Sequence, residues 1–200
     1  MQPKEPMKKL IIATAILTAF IAPQVYAQSG NFKGFSVGLG VNLANTHVDV
    51  TTGTTTRSVS DSDSNLALQV QYNTALSEAF LLGFGATANL GDLKSGKFGN
   101  NQTNLNDAYS LYLAPSYAFN NTWLGYAKLA YLDATVKTDS GVSINFDNGL
   151  GYGIGAQMLF DKNWFGQVEY MSNDYSEKTL TSDKVKLKND VFTLSAGYKF

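Results

Sequence analysis

Phe192-Thr193-Leu194-Ser195-Ala196-Gly197-Tyr198-Lys199-Phe200 is the stretch whose reading decides the fold. In a strand, successive side chains point to opposite faces. Phe192, Leu194, Ala196, Tyr198 and Phe200 therefore share one face, and Thr193, Ser195, Gly197 and Lys199 share the other. Chain termini in water usually fray, yet this alternation holds to the final aromatic residue. One greasy face opposite a face of small polar residues suits the wall of a barrel in a membrane.

The same period-two pattern recurs upstream. It runs from Gly34 to Ala44, Asn65 to Tyr72, Ala79 to Leu90, Asp107 to Phe119, Trp123 to Thr135, Asn148 to Phe160 and Trp164 to Tyr175, before the last segment, Asn189 to Phe200. In the first, Phe35, Val37, Leu39, Val41 and Leu43 oppose Ser36, Gly38, Gly40 and Asn42. Eight such segments predict an all-β fold, an eight-stranded antiparallel up-and-down transmembrane β-barrel. A soluble ligand-carrying barrel also alternates, but it needs a charged exterior. Here the polar face carries Gly, Ser, Ala, Gln and Asn, with Lys128, Glu169 and Lys199 as its charges. Such a face fits the crowded lumen of an eight-strand barrel, which side chains just fill. On that lumen face Gly153→Ser is expected to be tolerated wherever packing leaves room.

The connections alternate in length. Asn73 to Glu78, Asn120 to Thr122 and Asp161 to Asn163 are short and built of turn residues. His47 to Ser64, Gly91 to Asn106, Lys137 to Asp147 and Ser176 to Lys188 are long, polar and expected as loops outside the cell. Pro115 sits inside a strand with no N–H to donate, so a bulge or a later strand start is expected there.

The beginning of the chain reads as an export leader. Lys8-Lys9, the apolar run Leu10 to Ile21, Pro23 and the exit Val25-Tyr26-Ala27 form a signal peptide with cleavage between Ala27 and Gln28. Residues 1–27 are then the leader and residues 28–200 the barrel domain. The apolar run is too short for a spanning helix, which needs roughly 20 residues. The sequence has no Cys, a formal net charge of −1 and 16% charged residues. These values exclude disulfides and thiolate metal sites and offer no basic patch for nucleic acid.

Two pieces carry a resemblance: Gly166-Gln167-Val168-Glu169-Tyr170 and the closing Gly197-Tyr198-Lys199-Phe200. With the whole-chain pattern, they resemble the small outer-membrane β-barrel family of the OmpA membrane domain, OmpX and Ail. The resemblance implies an integral protein of the bacterial outer membrane, surrounded by its lipid, acting as a monomer. It also implies that Phe192, Leu194, Ala196, Tyr198 and Phe200 form a C-terminal signal read by the barrel assembly machinery.

Catalysis is weighed because that family includes enzymes. His47 is the single His, with Asp49 nearby and Asp61-Ser62-Asp63 beyond. General acid–base work needs such groups within hydrogen-bond reach. In a Thr- and Ser-rich loop they read as solvated rim residues, so no catalytic, metal or cofactor site is expected. Lys128 and Glu169 each lie five residues beyond a Trp, Trp123 and Trp164, on the lumen face. Buried charge is costly unless paired, so Lys128, Glu169 and Gln167 are expected to form a polar network that plugs the lumen, and a broken plug to conduct ions. The expected role is structural or surface-interacting, adhesin-like, through the long loops and an unknown extracellular ligand. A small solute or ion channel, or a lipid-modifying enzyme, is the alternative.

N-terminal sequencing of protein extracted from outer membranes is expected to begin at Gln28. Membrane-inserted material that begins at Met1 or Met7 contradicts the leader assignment.

Overall fold

The computed structural model describes residues 29–98, 101–138, 143–180 and 183–200. The expected leader, with Ala27 and Gln28, lies outside the described residues. Nine strands run in chain order: β1 (Gly34–Thr52), β2 (Thr55–Ala75), β3 (Phe80–Leu90), β4 (Leu93–Phe98), β5 (Asn101–Ala118), β6 (Trp123–Thr138), β7 (Ser143–Leu159), β8 (Trp164–Leu180) and β9 (Asp183–Lys199). Eight of them close a ring in which every neighbour is antiparallel. β1 pairs with β9 from Ser36–Lys199 to Thr52–Asp183, which leaves the ring without an edge. β4 stands outside the ring and, among the described residues, pairs with β5 alone.

The apolar face points outward. Leu39 is 51% exposed, Leu111 59%, Ile154 68% and Leu194 59%, whereas Gln157 and Gln167 on the opposite face are each 4% exposed. This is a globular protein turned inside out, as a wall against hydrocarbon requires. Aromatic residues ring the short-turn end, where Phe80, Tyr117 and Phe119 stack edge to face, as do Trp164, Tyr198 and Phe200.

Pro115 produces no bulge. β5 pairs with β6 at Leu113–Leu129 and again at Ser116–Tyr126 in unchanged register, and Pro115 itself lies opposite Leu82 of β3 on the other side. The two rungs to β6 between those pairs are missing. The barrel absorbs the lost N–H donor by omitting rungs, because both neighbouring strands stay in register around the gap.

The described residues of the four long connections, expected as loops, continue the strands, apart from Gly53-Thr54 and Gly91-Asp92. β1 and β2 stay in register up to Thr52–Thr55, and Gly53-Thr54 close the hairpin. Gly53 has φ 59°, which suits the first central position of a two-residue hairpin turn. Thr and Ser favour turns in a sequence reading, but Thr is also a good strand former, and period two never breaks between β1 and β2. What changes is polarity. Inward positions become apolar (Val48, Leu132, Ala134, Val136, Val185 and Leu187 are all buried). Outward positions become polar (Ser58, Ser60, Ser62, Ser64, Lys184 and Lys188 are exposed). Above the membrane band the barrel becomes an ordinary water-facing one, a turret with its own apolar core.

The changeover is marked in the backbone. Register shifts fall between Asn106 and Tyr109 on β5, between Leu132 and Ala134 of β6 opposite β7, and between Tyr175 and Lys178 on β8. Each adds one residue to one strand, which bends and twists it. Asn148 takes φ 61° at the second shift, held by the Tyr131 hydroxyl, which donates to its Oδ1 at 3.0 Å. At the same level β3 ends, Gly91 turns with φ 108°, and the chain resumes as β4. β4 then leaves the wall and packs against β1 and β2, with Leu93 and Ser95 fully buried.

The expected tolerance of Gly153→Ser is corrected by packing. A Cβ at Gly153 meets the Tyr170 carbonyl oxygen and the Met171 sulfur, so the lumen wall has no room for a side chain there.

Leu129→Arg places charge near the middle of the membrane band and is expected to cost about 2–4 kcal/mol. Ser60→Arg, on the turret exterior, is expected to change stability by no more than about 0.5 kcal/mol. Denaturant unfolding in lipid vesicles measures both; the reverse order contradicts the assignment of the band.

Candidate functional site in the barrel lumen

Three layers fill the barrel from the short-turn end upward. The first is apolar. A short 3-10 helix, Ser29–Phe32, folds into the mouth and buries Phe32 among Leu81, Ala118, Leu124, Leu159 and Phe165. Backbone and side chain fasten it: the Ser29 N–H donates to the Glu78 carbonyl at 2.8 Å, and Asn73 Nδ2 donates to the Phe32 carbonyl at 3.1 Å. Sequence periodicity gives no sign of this plug, because the four residues of the helix carry no repeat.

The second layer is polar and contains Lys128, Glu169 and Gln167. Lys128 Nζ lies 2.9 Å from Glu169 Oε1 and 3.0 Å from Oε2, with side chains 3% and 7% exposed. The Tyr126 hydroxyl donates to Glu169 Oε2 at 2.8 Å. Lys128 Nζ also sits 3.9 Å above the centre of the Tyr112 ring, a position in which a desolvated ammonium gains from the π face. From Tyr112 the network continues: its hydroxyl donates to Gln71 Oε1 at 2.8 Å, and Gln71 Nε2 to Asn73 Oδ1 at 2.6 Å. Gln167 joins through Gln69, which accepts from it at 3.3 Å and donates to Gln71 at 3.1 Å. Lys128 faces Gly153 across β6 and β7, and Glu169 faces Gly155 across β7 and β8. The space a side chain would take at Gly153 is filled by Met171, and at Gly155 by the ring and hydroxyl of Tyr126, which reaches Glu169. Tyr112 and Tyr126 complete the set; their role is not legible from alternation, which says only that they face inward.

The third layer is the apolar core of the turret, in which Leu93, Leu105, Leu132, Val136, Phe146 and Leu187 are buried together. β4 supplies Leu93, which lies opposite Leu105 of β5 at the base of the turret. Asp63 ties β4 down: its Oδ2 accepts the Lys94 N–H at 3.0 Å and its Oδ1 the Ser64 N–H at 2.9 Å. These two donors hold the carboxyl below the usual carboxylate range, Lys94 contributing most.

His47 lies on the outer face of β1, opposite Ser60 of β2 and Lys188 of β9. Among the described residues no hydrogen bond joins it to Ser60 or Asp49. Asp61 accepts from the Ser62 N–H, so its Oδ1, like the Asp63 carboxylate, serves backbone rather than a nucleophile. Among the described residues no cluster of three or more His, Asp or Glu is placed to hold a metal.

Breaking a buried ion pair strands the remaining charge, at a cost of roughly 3–5 kcal/mol. Lys128→Met and Glu169→Met are each expected to lose that much stability, and the double change to recover part of it, as read from a double-mutant cycle in vesicles. The apolar layers above and below revise the expectation of conductance: the single variants stay silent in planar bilayers. Zero coupling energy contradicts the network, and currents through either single variant contradict the two seals.

The family model described as outer membrane protein beta-barrel domain matches residues 12–200. Among solved structures, Ail of Yersinia pestis in complex with the heparin analogue sucrose octasulfate is 16% identical, covers 84% of this chain and 99% of that one, and superposes with a TM-score of 0.48. Neisserial surface protein A is 17% identical over 81% of this chain and 97% of its own, with a TM-score of 0.46. The outer membrane protease OmpT from Escherichia coli is 9% identical over 83% and 96%, with a TM-score of 0.48. A comparison with curated proteins finds no match. The match of the family model across nearly the whole chain, on a closed ring of antiparallel strands with its apolar face outward, identifies this protein as a member of the outer-membrane β-barrel family.

Proposed function

We propose that this protein is a non-catalytic, surface-interacting barrel of the bacterial outer membrane, exported by a cleaved leader, inserted by the barrel assembly machinery and acting as a monomer. The observation that supports this reading is a strand-built polar turret standing on a filled lumen. Its wall presents rows of side chains in fixed register: Ser60, His47, Lys188 and Asp174 in one, and Ser58, Asp49 and Lys186 in the next. Lys188 pairs with Asp174 and Lys184 with Glu177 on the surface, both at 3.2 Å. A surface of alternating charge and hydroxyl groups favours a polar, wet contact with an envelope polymer or a host factor over an apolar interface. A channel is the weaker reading, because apolar layers close the lumen above and below its polar centre. A lipid-modifying enzyme is weaker still, because neither Ser60 nor Asp49 is hydrogen-bonded to His47 to form a nucleophile–base pair.

The test leaves the turret core untouched. A variant carrying His47→Ala, Ser58→Ala, Ser60→Ala and Lys186→Ala is expected to insert and melt like the parent. Its adherence to host cells or to purified envelope polysaccharide is expected to fall about ten-fold, the equivalent of about 1.4 kcal/mol. Unchanged adherence, or an ester-hydrolysis activity on outer-membrane lipid that this variant loses, overturns the proposal.

A further inference from the structure

Within the membrane band every strand of the ring has a neighbour on both sides, but above it one does not. β2 pairs with β3 from Ala75–Leu81 to Leu66–Leu90, and there β3 ends. The chain turns at Gly91 and resumes as β4, which pairs with β5 and not with β2. β2 itself continues on β1 up to Thr55–Thr52. Above Leu66 its second side is therefore an open strand edge in a water-facing wall.

The direction of the backbone groups follows from the ladder, in which successive residues of an antiparallel strand face opposite neighbours. The Phe35 carbonyl accepts the Phe200 N–H, so odd-numbered residues of β1 direct their backbone toward the last strand and even-numbered ones toward β2. The β2 partners of the even residues are odd, Ala44–Asp63 and Thr46–Asp61 among them. Ser58, Ser60, Ser62 and Ser64 thus turn N–H and C=O to the open edge. The side chains agree: the Ser62 N–H donates to Asp61 Oδ1 and the Ser64 N–H to Asp63 Oδ1, both at 2.9 Å. Two further side-chain bonds tether the base of the edge. Asn65 Nδ2 donates to the Gly91 carbonyl at 3.1 Å, and the Lys94 N–H to Asp63 Oδ2 at 3.0 Å. Above Asp63, among the described residues, no strand pairs with this edge.

We propose that the upper edge of β2, Ser58 to Ser64, is a docking site for an extended basic peptide, which adds to the sheet as a strand. An unpaired edge is a template for another chain. Main-chain bonds of this kind supply affinity, and alternate side chains select the partner. Here charge makes the selection. Asp61 and Asp63 are the ionisable residues between Ser58 and Ser64. Asp63 is committed to two N–H groups, and the Lys94 ammonium offsets its charge. Asp61 holds its neighbour's N–H alone. A second copy docking antiparallel about Asp61 brings two carboxylates together, and like charges directly opposite destabilise a strand pair. A lysine or arginine opposite Asp61 does the reverse, and it draws the carboxylate away from the Ser62 N–H, which an incoming carbonyl then takes. The site rests on backbone groups, so it stands apart from the side-chain contacts proposed for the turret face.

The test uses the full barrel in nanodiscs of zwitterionic lipid, with a short peptide of alternating threonine and lysine as the probe. Amide exchange at Ser58 and Ser60 is expected to slow about ten-fold when the peptide binds, because a new ladder protects those N–H groups. Ser60→Pro removes one edge N–H and leaves the ladder to β1 intact, as Pro does on edge strands; it is expected to weaken binding about ten-fold. Ser60→Ala keeps the N–H and is expected to bind like the parent. Asp61→Lys is expected to transfer binding from the lysine peptide to its glutamate counterpart, and it decides the matter if Ser60→Pro fails to insert. Equal binding of a lysine peptide with methylated backbone nitrogens overturns the proposal in favour of contact by charge alone. Loss of binding in Ser60→Ala overturns it in favour of the side-chain face. Dimers of the parent that protect Ser58 and Ser60 without peptide overturn it in favour of a second copy, and unchanged exchange with peptide shows the edge to be closed.

Discussion

Hydrocarbon accepts no hydrogen bonds, so every backbone group in the membrane band needs a partner within the protein. That constraint fixes most of the architecture. It forces the strands into a closed ring, and β9 must return to β1, which it does from Ser36–Lys199 upward. The final aromatic residue is held because its strand is a wall stave and not a loose end. The N–H of Phe200 still donates to the Phe35 carbonyl at 2.8 Å. Pro115 shows how far the rule bends: a ring can lose two rungs if the strands on both sides keep their register.

Closing an eight-strand ring creates a second problem, because the interior is too narrow to be a pore and too polar to pack like a core. The chain solves it by layers. Phe32 and its neighbours seal one end, the turret core seals the other, and a buried network spans the middle. Gly155 of β7 leaves the space in which Tyr126 reaches Glu169, so a residue that looks merely small on the lumen face helps determine where charge can sit. A buried pair is weak evidence for stability against an apolar alternative. Its more secure consequence is that neither charge can be removed alone without leaving the other unpaired.

The membrane part of the fold is legible in the sequence because lipid and lumen impose opposite demands on alternate residues. All eight segments and the outward face of each arise from period two, and the short turns at Asn120 to Thr122 and Asp161 to Asn163 from the turn residues between them. Lys128 and Glu169 could be placed at one depth because each lies at the same offset from a girdle Trp. The turret was not legible as structure. Its hairpins carry polar residues typical of loops. The apolar set changes parity on β6, which has no extra residue. On β5 and β7 an extra residue turns apolar positions of unchanged parity inward, Leu105 and Phe146 among them. The switch from Leu129 and Tyr131 outward to Leu132, Ala134 and Val136 inward is visible in the sequence once both solvents are considered. The seat of Phe32, the departure of β4 from the wall and the participation of Tyr112 depend on contacts between segments far apart in the chain, and no local pattern encodes them.

A turret of paired strands changes how recognition works. Mobile loops lose conformational freedom when they bind, and that cost is subtracted from the affinity. Here Ser58, Ser60, His47 and Lys186 stand on strands that are already paired on the membrane side of the turn, and their spacing is set by the ladder before any partner arrives. The apolar core beneath them keeps the wall from collapsing, and the bulges at its base fix its twist relative to the membrane. The sealed lumen contributes in the same direction. It removes the barrel's freedom to change diameter, so the position of each turret residue is tied through the strands to the girdle below.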